Sequence, residues 1–355
     1  MPKTIRNEYY KKLSYEKLMQ VHLESRKGKS TRKEIIQFNL KQEEYIMWLY
    51  EQLKNRTYRH SGYTSFYVTE PKLRRIEKSI YIDRIVHRWY VDNFMQEHFV
   101  KSFSYSSFAC LKGKGMHNAC LYVQEMMKHC KRIWNNYYVI KMDVAKYFQN
   151  IDKQILYEIL CRKIKDKNLL WLTREILYSN GIDKGLPIGN YTSQCFANIY
   201  LNELNQYMKH KLKLKYTCRY MDDVVALVNT KEAIEKLNLI RSFLKEKLCL
   251  ELNRKTQIFK STQGVNFCGY KINEYRLKIR DKGKRKLKKK VKLLEKQVKQ
   301  GKMTSIEAHK YLSGHLGYIN VANTKKLRKQ AICNRCINIY SIDDFNEKYK
   351  IQYKE

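Results

Sequence analysis

Apolar residues recur at spacings of three and four along much of the chain, and this periodicity predicts amphipathic helices. The predicted helices span 15–23, 33–53, 83–97, 116–133, 152–164, 169–177, 191–212 and 232–248. Short apolar runs bounded by turn residues predict strands at 64–69, 79–82, 137–143, 224–228 and 265–272. From Asp281 onward the pattern becomes a lysine-rich helix with Val291, Leu294 and Val298 on one face. The pattern therefore predicts helices interspersed with short strands.

Two adjacent carboxylates interrupt this pattern at Tyr220-Met221-Asp222-Asp223. A basic approach at 215–219 precedes them and an apolar run at 224–228 follows, which predicts a hairpin with both aspartates at its tight turn. Aspartates beside a buried strand are costly unless a positive charge compensates them, and a divalent metal ion commonly does so. The alternative is a solvated Asp-Asp turn without a ligand.

A third carboxylate, Asp143, falls where the apolar run at 137–142 ends. In two-metal phosphoryl transfer, carboxylates on neighbouring strands hold both ions, and Mg²⁺ prefers such hard oxygen ligands. Asp143, Asp222 and Asp223 supply the groups that this chemistry needs. Taken alone, Asp143 could equally cap the N-terminus of a helix.

Together these segments resemble a reverse transcriptase, and they follow one another in the order of that family. The resemblance spans roughly residues 60 to 330 and includes Gly185-Leu186-Pro187-Ile188-Gly189-Asn190 and Leu250 to Thr256. It implies catalytic roles for Asp143, Asp222, Asp223 and Lys255, with Lys255 as proton donor to pyrophosphate. It implies metal binding by Asp143, Val144, Asp222 and Asp223.

The resemblance also implies contacts with the nucleotide and with the nucleic acid. The implied nucleotide-binding residues are Arg74, Lys78, Phe148, Ile188, Gly189, Ser193, Gln194 and Tyr220, with Phe148 excluding ribonucleotides. The implied primer grip consists of Phe267, Cys268, Gly269 and Tyr270, and the implied backbone contacts are Lys284, Arg285, Lys288 and Lys289. For Arg84, which follows Asp83, triphosphate binding and a structural ion pair remain equal alternatives.

One loop narrows the resemblance to a subfamily. Ile188 stands where retroviral and group II intron enzymes usually carry glutamine, and Ser193-Gln194 stands where they carry Ser-Pro. This combination resembles the reverse transcriptases of diversity-generating retroelements, which copy a template-repeat RNA with errors at adenines. A branched aliphatic side chain can pack against the incoming nucleotide but cannot form a hydrogen bond with it. The enzyme would therefore discriminate less strongly against mismatched nucleotides. The alternative is that Ile188 is simply a core-facing loop residue.

The resemblance implies an α+β, right-hand polymerase fold with fingers and palm, an antiparallel sheet plus helices, and a small helical thumb. The expected domains are an N-terminal helical extension at 1–60, fingers at 61–135, palm at 136–275, and a basic thumb with C-terminal tail at 276–355. It further implies two Mg²⁺ ions (Mn²⁺ as substitute), a template RNA, a primer or cDNA, dNTPs and a small basic helical accessory protein that oligomerises. We expect a cytoplasmic protein encoded by a bacterium or phage.

Composition agrees with a polynucleotide partner. The 72 Lys and Arg outnumber the 34 Asp and Glu, giving a formal charge of +38 that attracts a phosphate backbone. No apolar run approaches the ~20 residues of a membrane span. Retron-like, group II intron-like and defence-associated reverse transcriptases remain alternatives. A non-catalytic RNA-binding protein is a further alternative, which the retained aspartates and Lys255 disfavour.

Overall fold

The computed structural model describes residues 4–69, 72–229, 232–328 and 330–331. Contacts within the chain define two compact units. Unit 1 comprises Met1–Lys112, Asp143–Lys213 and Glu235–Lys255, and unit 2 comprises Gly113–Met142, Leu214–Ile234 and Thr256–Glu355. The predicted boundaries of fingers, palm and thumb stay predictions, and residues 332–355 of the predicted tail lie outside the described residues.

Most of the described chain is helical. In chain order the helices are α1 Tyr9–Lys12, α2 Tyr15–Ser25, α3 Lys33–Leu40, α4 Gln42–Lys54, α5 Tyr81–Tyr90, α6 Gln96–His98, α7 Met116–Trp134, α8 Tyr147–Asn150, α9 Lys153–Lys163, α10 Lys167–Leu177, α11 Tyr191–Gln206, α12 Ala233–Leu248, α13 Asp281–Lys299, α14 Ser305–Asn320 and α15 Lys325–Arg328. A π-helical turn continues α5 over Val91–Met95, and another continues α11 over Tyr207–Lys211. Short 3₁₀ turns cover Val100–Ser102 and Ser261–Gln263.

Strands in the described residues form three sheets. They are β1 Tyr63–Val68, β2 Arg74–Ser79, β3 Tyr138–Asp143, β4 Tyr216–Tyr220, β5 Asp223–Val228, β6 Gln257–Lys260, β7 Val265–Phe267, β8 Tyr270–Ile272 and β9 Leu277–Ile279. The sheet orders are β1-β2, β4-β5-β3-β6 and β7-β8-β9. The pairs β1–β2, β3–β6, β4–β5, β7–β8 and β8–β9 are antiparallel.

The core of unit 1 is helical and centres on α11. Buried residues occur on every side of this helix, as expected of a helix enclosed by others. The ring of Phe196 lies edge-on to Tyr90 of α5, with ring centroids 6.0 Å apart. Asn198 and Asn205 are buried in the same helix, and each donates its side-chain amide to the segment at 107–109. These two asparagines therefore anchor a loop rather than face water.

In unit 2, helix α7 packs on the strands. The Cys218 thiol of β4 donates to the Ala119 carbonyl at 3.8 Å, and the Cys120 thiol donates to the Phe267 carbonyl at 3.7 Å. Strand β5 is buried from Val224 to Val228, because both of its faces are covered. The apolar run that predicted this strand therefore forms the middle of the core of unit 2.

Three predicted elements differ from the structure. The strand predicted at 79–82 is wrong: β2 ends at Ser79 and α5 begins at Tyr81, because pairing with β1 makes the basic segment itself a strand. The single strand predicted at 265–272 is two strands, since Cys268 and Gly269 adopt φ values of +45° and +86° and turn the chain. The helix predicted at 33–53 breaks at Lys41, where φ is −133° and ψ is 34°.

Candidate functional site

Asp143 is the last residue of β3, as the sequence predicted, and its side chain is half-buried. Its carbonyl accepts a 2.7 Å hydrogen bond from the backbone N–H of Asn253. Val144 forms an antiparallel bridge with Leu252. The exposed Lys255 follows in a turn, where its backbone N–H donates to the Asn253 side chain at 3.1 Å. Unit 1 thus joins the Asp143 segment to the segment that carries Lys255.

Phe148 lies in the short helix α8, directly against the loop at 185–190. The Phe148 carbonyl accepts from the Leu186 N–H at 2.8 Å, and the Ile151 carbonyl accepts from the Gly185 N–H at 2.8 Å. The Phe148 ring is edge-on to Tyr147, with centroids 5.8 Å apart. The aromatic residue and the loop, both predicted to contact the nucleotide, are therefore fixed to each other by main-chain hydrogen bonds.

Strand β2 is attached to the other end of this loop. The Ile188 carbonyl accepts from the Glu77 N–H at 2.8 Å, and the half-buried Ile188 precedes Gly189, whose φ is +124°. The Asn190 amide donates to the Glu77 carbonyl at 2.8 Å, while its oxygen accepts from the Ser79 N–H and hydroxyl at 2.9 and 2.7 Å.

Asn190 has a structural role in this region that the sequence analysis did not single out. Its buried side chain replaces a strand partner for β2 and so holds the basic strand over the loop. Its only signal in the sequence is its place in the Gly-Leu-Pro-Ile-Gly-Asn motif. Although Asn190 directly precedes α11, its side chain forms no helix-capping hydrogen bond.

Ser193 and Gln194 lie in the first turn of α11, where their environments differ. Ser193 is buried, whereas Gln194 is exposed and its side-chain oxygen accepts from the Cys110 thiol at 3.5 Å. Gln194 is thus exposed, and its side chain contacts Cys110. The nucleotide-binding roles of Ser193 and Gln194 stay predictions.

The cations of β2 are not equivalent. Arg74 is exposed, whereas Lys78 is bound to Glu34 at 2.8 Å. Arg84 also pairs with Glu34 at 2.8 Å, and its neighbour Asp83 instead accepts hydrogen bonds from Tyr58 and Ser61. Burial raises the pKa of Glu34, but the hydrogen bonds from Lys78 and Arg84 outweigh this effect and hold that pKa below its ordinary value. Arg84 therefore forms a structural ion pair, but its partner is Glu34 and not the adjacent Asp83.

In unit 2, Tyr220-Met221-Asp222-Asp223 forms the predicted hairpin with one shift. Met221 and Asp222 make the two-residue turn, while Asp223 begins β5 and pairs with the half-buried Tyr220. Met221 adopts φ +56°, a left-handed conformation that costs a non-glycine residue about 1 kcal/mol or more. The buried Arg219 guanidinium donates to the Met221 carbonyl at 3.1 Å and so steadies the turn. Sequence reasoning did not single out Arg219.

The carboxylates of this hairpin fit a cation. The buried Asp223 Oδ1 is paired with the ammonium of Lys141, so a positive charge already sits on this carboxylate. The hydrogen bond between Cys268 and Cys120 raises the pKa of the Cys268 thiol, burial raises it further, and the nearby half-buried Asp222 adds to this shift. Hard carboxylate oxygens near a strained turn are the donor set that Mg²⁺ or Mn²⁺ takes.

The predicted primer grip forms a second hairpin in unit 2. Phe267 ends β7, Cys268 and Gly269 make the turn, and Tyr270 begins β8. The Tyr318 hydroxyl of α14 donates to the Gly269 carbonyl at 2.8 Å, and the Tyr270 hydroxyl donates to the Tyr318 carbonyl at 2.7 Å. Helix α14 therefore holds this hairpin at both its turn and its second strand.

Helix α13 carries the predicted backbone contacts. Leu287, Val291 and Leu294 are buried, so one face packs while the opposite face is basic. On the basic face, Arg285, Lys288 and Lys289 are exposed, and half-buried Lys284 pairs with Asp281 at 2.9 Å. The helix and its apolar face, predicted from the sequence, are confirmed; the nucleic-acid contacts stay predictions.

Another acidic group in unit 1 is already neutralised. Among the described residues, Glu8, Glu97 and His98 lie close enough to share an ion, but the Lys12 ammonium is 2.8 Å from both carboxylates. Within the described ranges, no helix combines the length and apolarity needed to cross a membrane.

Comparisons with known proteins place the chain among polymerases. The reverse transcriptase (RNA-dependent DNA polymerase) family profile matches residues 71–272. The COX1/OXI3 intron 2 protein of Saccharomyces cerevisiae is 25% identical over 48% of this chain and 27% of its own length. Protein YkfC of Escherichia coli is 26% identical over 57% of this chain and 63% of its own length.

One solved structure shares the fold. Telomerase from Candida albicans, in complex with a fragment of telomeric RNA, superposes with a TM-score of 0.50 at 10% identity, covering 85% of this chain and 60% of that chain. This likeness confirms the predicted α+β, right-hand polymerase fold class. The chain spans less than two thirds of the length of the curated relatives that it matches. Because the family profile covers more than half of its 355 residues, the chain belongs to the reverse transcriptase (RNA-dependent DNA polymerase) family.

Proposed function

We propose that the protein is an RNA-directed DNA polymerase that extends a primer on an RNA template by two-metal nucleotidyl transfer. The observation that carries the proposal is the set of main-chain bonds in unit 1. These bonds join Asp143 to the segment of Lys255, Phe148 to Leu186, and Ile188 to β2. In unit 2, the strained Asp222 hairpin presents further carboxylates.

In this proposal, Asp143 and Asp222 hold the ions, with Val144 contributing its carbonyl and Asp223 acting less directly. Reverse transcriptase domains generally use divalent metal ions; we propose Mg²⁺, with Mn²⁺ as a substitute. Two such ions, when bound, would stabilise the negative charge that develops during an in-line displacement. The primer 3′-oxygen would bond to the α-phosphorus while the bond from that phosphorus to the β-phosphate oxygen breaks. The hydroxyl proton would pass to solvent water, and Lys255 would give a proton to the departing pyrophosphate.

The remaining predicted residues orient the substrates. Phe148 excludes a 2′-hydroxyl, and Ile188, Gly189, Ser193, Gln194 and Tyr220 shape the nucleotide pocket. Arg74 is the exposed fork for triphosphate oxygens, while Lys78 reaches them when it leaves Glu34. Phe267 to Tyr270 hold the primer terminus, and Lys284, Arg285, Lys288 and Lys289 bind phosphates without regard to sequence.

We further propose a role in a diversity-generating retroelement, in which a template-repeat RNA is copied with adenine errors. Ile188 supports it: its carbonyl is bound to Glu77, and its aliphatic side chain offers the nucleotide no hydrogen bond. The proposed partners include the small basic accessory oligomer, and the proposed location is the cytoplasm of a bacterial host. A group II intron-like role is the second candidate, favoured by the similarity to a yeast intron protein.

Primer extension on a defined RNA template with Mg²⁺ and four dNTPs, followed by sequencing of the cDNA, tests both levels. We expect DNA synthesis by the wild type and at least a thousandfold loss in Asp222→Asn, since a ligand of the ions is removed. RNA binding by that variant, measured by fluorescence anisotropy, should be retained.

The error pattern separates the two roles. Errors concentrated at template adenines, and reduced by Ile188→Gln, support the retroelement role. Evenly distributed or rare errors would assign the enzyme to an intron-like or retron-like lineage. Undiminished synthesis by Asp222→Asn would disprove the site assignment itself.

A further inference from the structure

Lys141 occupies an unusual position in unit 2. It lies within β3, and its neighbours Ile140 and Met142 are buried. Its side chain is only 17% exposed, and its ammonium pairs with Asp223 of the hairpin. An enclosed ammonium in a strand is costly unless an anion compensates it, so this pairing explains why a lysine is tolerated there.

The same ammonium also reaches the predicted primer grip. Its Nζ lies 5.3 Å from the centroid of the Phe267 ring, a distance at which the ring quadrupole attracts a cation. Phe267 is fully buried at the end of β7. Lys141 therefore contacts the Asp223 hairpin and the β7–β8 hairpin at once, and both belong to unit 2.

Pairing changes the charge that the hairpin presents to an ion. The two aspartates of the hairpin carry two negative charges, and the Lys141 ammonium compensates the one on Asp223. Asp223 Oδ1 is buried, so water screens this pair weakly and its charges act at close range. A divalent ion bound directly to Asp223 would have to displace an ammonium that already occupies the carboxylate.

We propose that Lys141 is a positioning residue of the transfer site: it neutralises Asp223 and ties that carboxylate to Phe267. Asp222 is then the hairpin's ligand for the divalent ion, and Asp223 supports the hairpin without binding the ion. This inference rests on the proposed function and adds to it a residue that the reverse transcriptase resemblance did not supply.

A charge-balanced exchange tests the assignment. The double variant Lys141→Met with Asp223→Asn removes both charges of the pair and leaves the net charge of the protein unchanged. Binding of Mn²⁺ to the protein without nucleic acid, followed by electron paramagnetic resonance, reports on the ion independently of catalysis. Asp222→Asn serves as the reference for loss of a true ligand. Circular dichroism of each variant checks that it is folded. Lys141→Arg is the matched control for Lys141→Met, because it keeps the positive charge at this position.

The expected result is that the double variant binds Mn²⁺ within about twofold of wild type, while Asp222→Asn binds at least tenfold more weakly. Lys141→Met alone should bind Mn²⁺ about tenfold more tightly, or about 1.4 kcal/mol, since it frees the Asp223 charge. Lys141→Arg should bind as wild type does. In primer extension, Lys141→Met should raise KM for the primer terminus, because the tie to Phe267 is lost.

Two outcomes would overturn the inference. Tenfold weaker Mn²⁺ binding by the double variant would make Asp223 a ligand, and unchanged binding by Lys141→Met would remove the charge argument. A different result would contradict the proposed function itself. If Asp222→Asn binds Mn²⁺ like the wild type, the hairpin is not the metal site, and the role of Lys141 falls with it.

Discussion

At Gly189 the loop at 185–190 comes into direct contact with β2. The backbone has φ +124°, and a Cβ atom there would stand 2.8 Å from Ile76 Cγ2 and 3.6 Å from the Glu77 carbonyl oxygen. Both the conformation and the space exclude a side chain. Glycine at this position therefore lets the basic strand β2 approach the loop, while its nucleotide-binding role stays a prediction.

Gly189→Ala should reduce the free energy of unfolding by about 2 to 4 kcal/mol, because strain and overpacking add. Gly181→Ala is the matched control. Gly181 also has a left-handed φ, +68°, but no atom lies within 4 Å of the place that a Cβ would take, so about 1 kcal/mol is expected. Urea unfolding followed by tryptophan fluorescence measures both, and equal losses would contradict the close contact with Ile76.

At the scale of elements, α13 shows how one helix combines packing with charge. Its buried face is held by Leu287, Val291 and Leu294, so the lysines opposite contribute little to the fold. Exposed cations on a fixed helix can neutralise phosphates and release counterions on binding. Such binding depends on salt and ignores base sequence.

Replacing Lys288 and Lys289 by serine should therefore weaken binding of an RNA–DNA duplex uniformly across sequences. The slope of log Kobs against log salt should fall by about 2, roughly one for each lost phosphate contact. Fluorescence anisotropy at several salt concentrations measures this slope. The control changes Lys245 and Lys247, two exposed lysines of α12, to serine. The same change in slope from both pairs would show that only net charge matters.

Other elements show the limit of local reasoning. The break at Cys268–Gly269 was missed because a cysteine in a left-handed conformation leaves no mark in the sequence, whereas the apolar residues around it read as one strand. The strand of the basic hairpin was predicted too late in the chain, at 79–82, because exposed cations hide the segment 74–79 that pairs with β1. By contrast, α7, α9, α10 and α13 follow their apolar periodicity closely.

Across the whole molecule, the protonation of buried histidines affects stability as well as the excess of cations. Burial lowers the pKa of His22 and His60 in unit 1. Burial, together with the neighbouring charge of His60, lowers the pKa of His87 to about 3. The His87 ring is stacked on His60 at 5.4 Å, and hydrogen bonds connect His60 with Ser79, which in turn donates to Asn190. Neutral histidines thus underlie the segment that supports the loop.

The stability of the protein should fall as pH drops from about 6.5 toward 3. In this window an unfolded chain protonates His87 at its ordinary pKa, whereas the folded protein does not, so acid favours unfolding. His87→Leu removes this contribution, and its stability should decline less steeply between pH 6.5 and 4.5. Urea midpoints at a series of pH values provide the measurement. Parallel pH profiles for wild type and variant would refute a neutral, buried His87.

Short sequence patterns were enough to predict the family, the residue types of the proposed site, and the strands and helices that carry them. Asp143 at a strand end, Asp222 and Asp223 in a hairpin, and the buried face of α13 all follow from patterns a few residues long, since local periodicity encodes burial. The pairing of charged groups, by contrast, became visible only in the folded chain. Lys78 and Arg84 meet Glu34, Lys141 meets Asp223, and Asn190 bonds to β2. Those partners are distant in the chain, and no periodicity relates them, so long-range packing alone selects them.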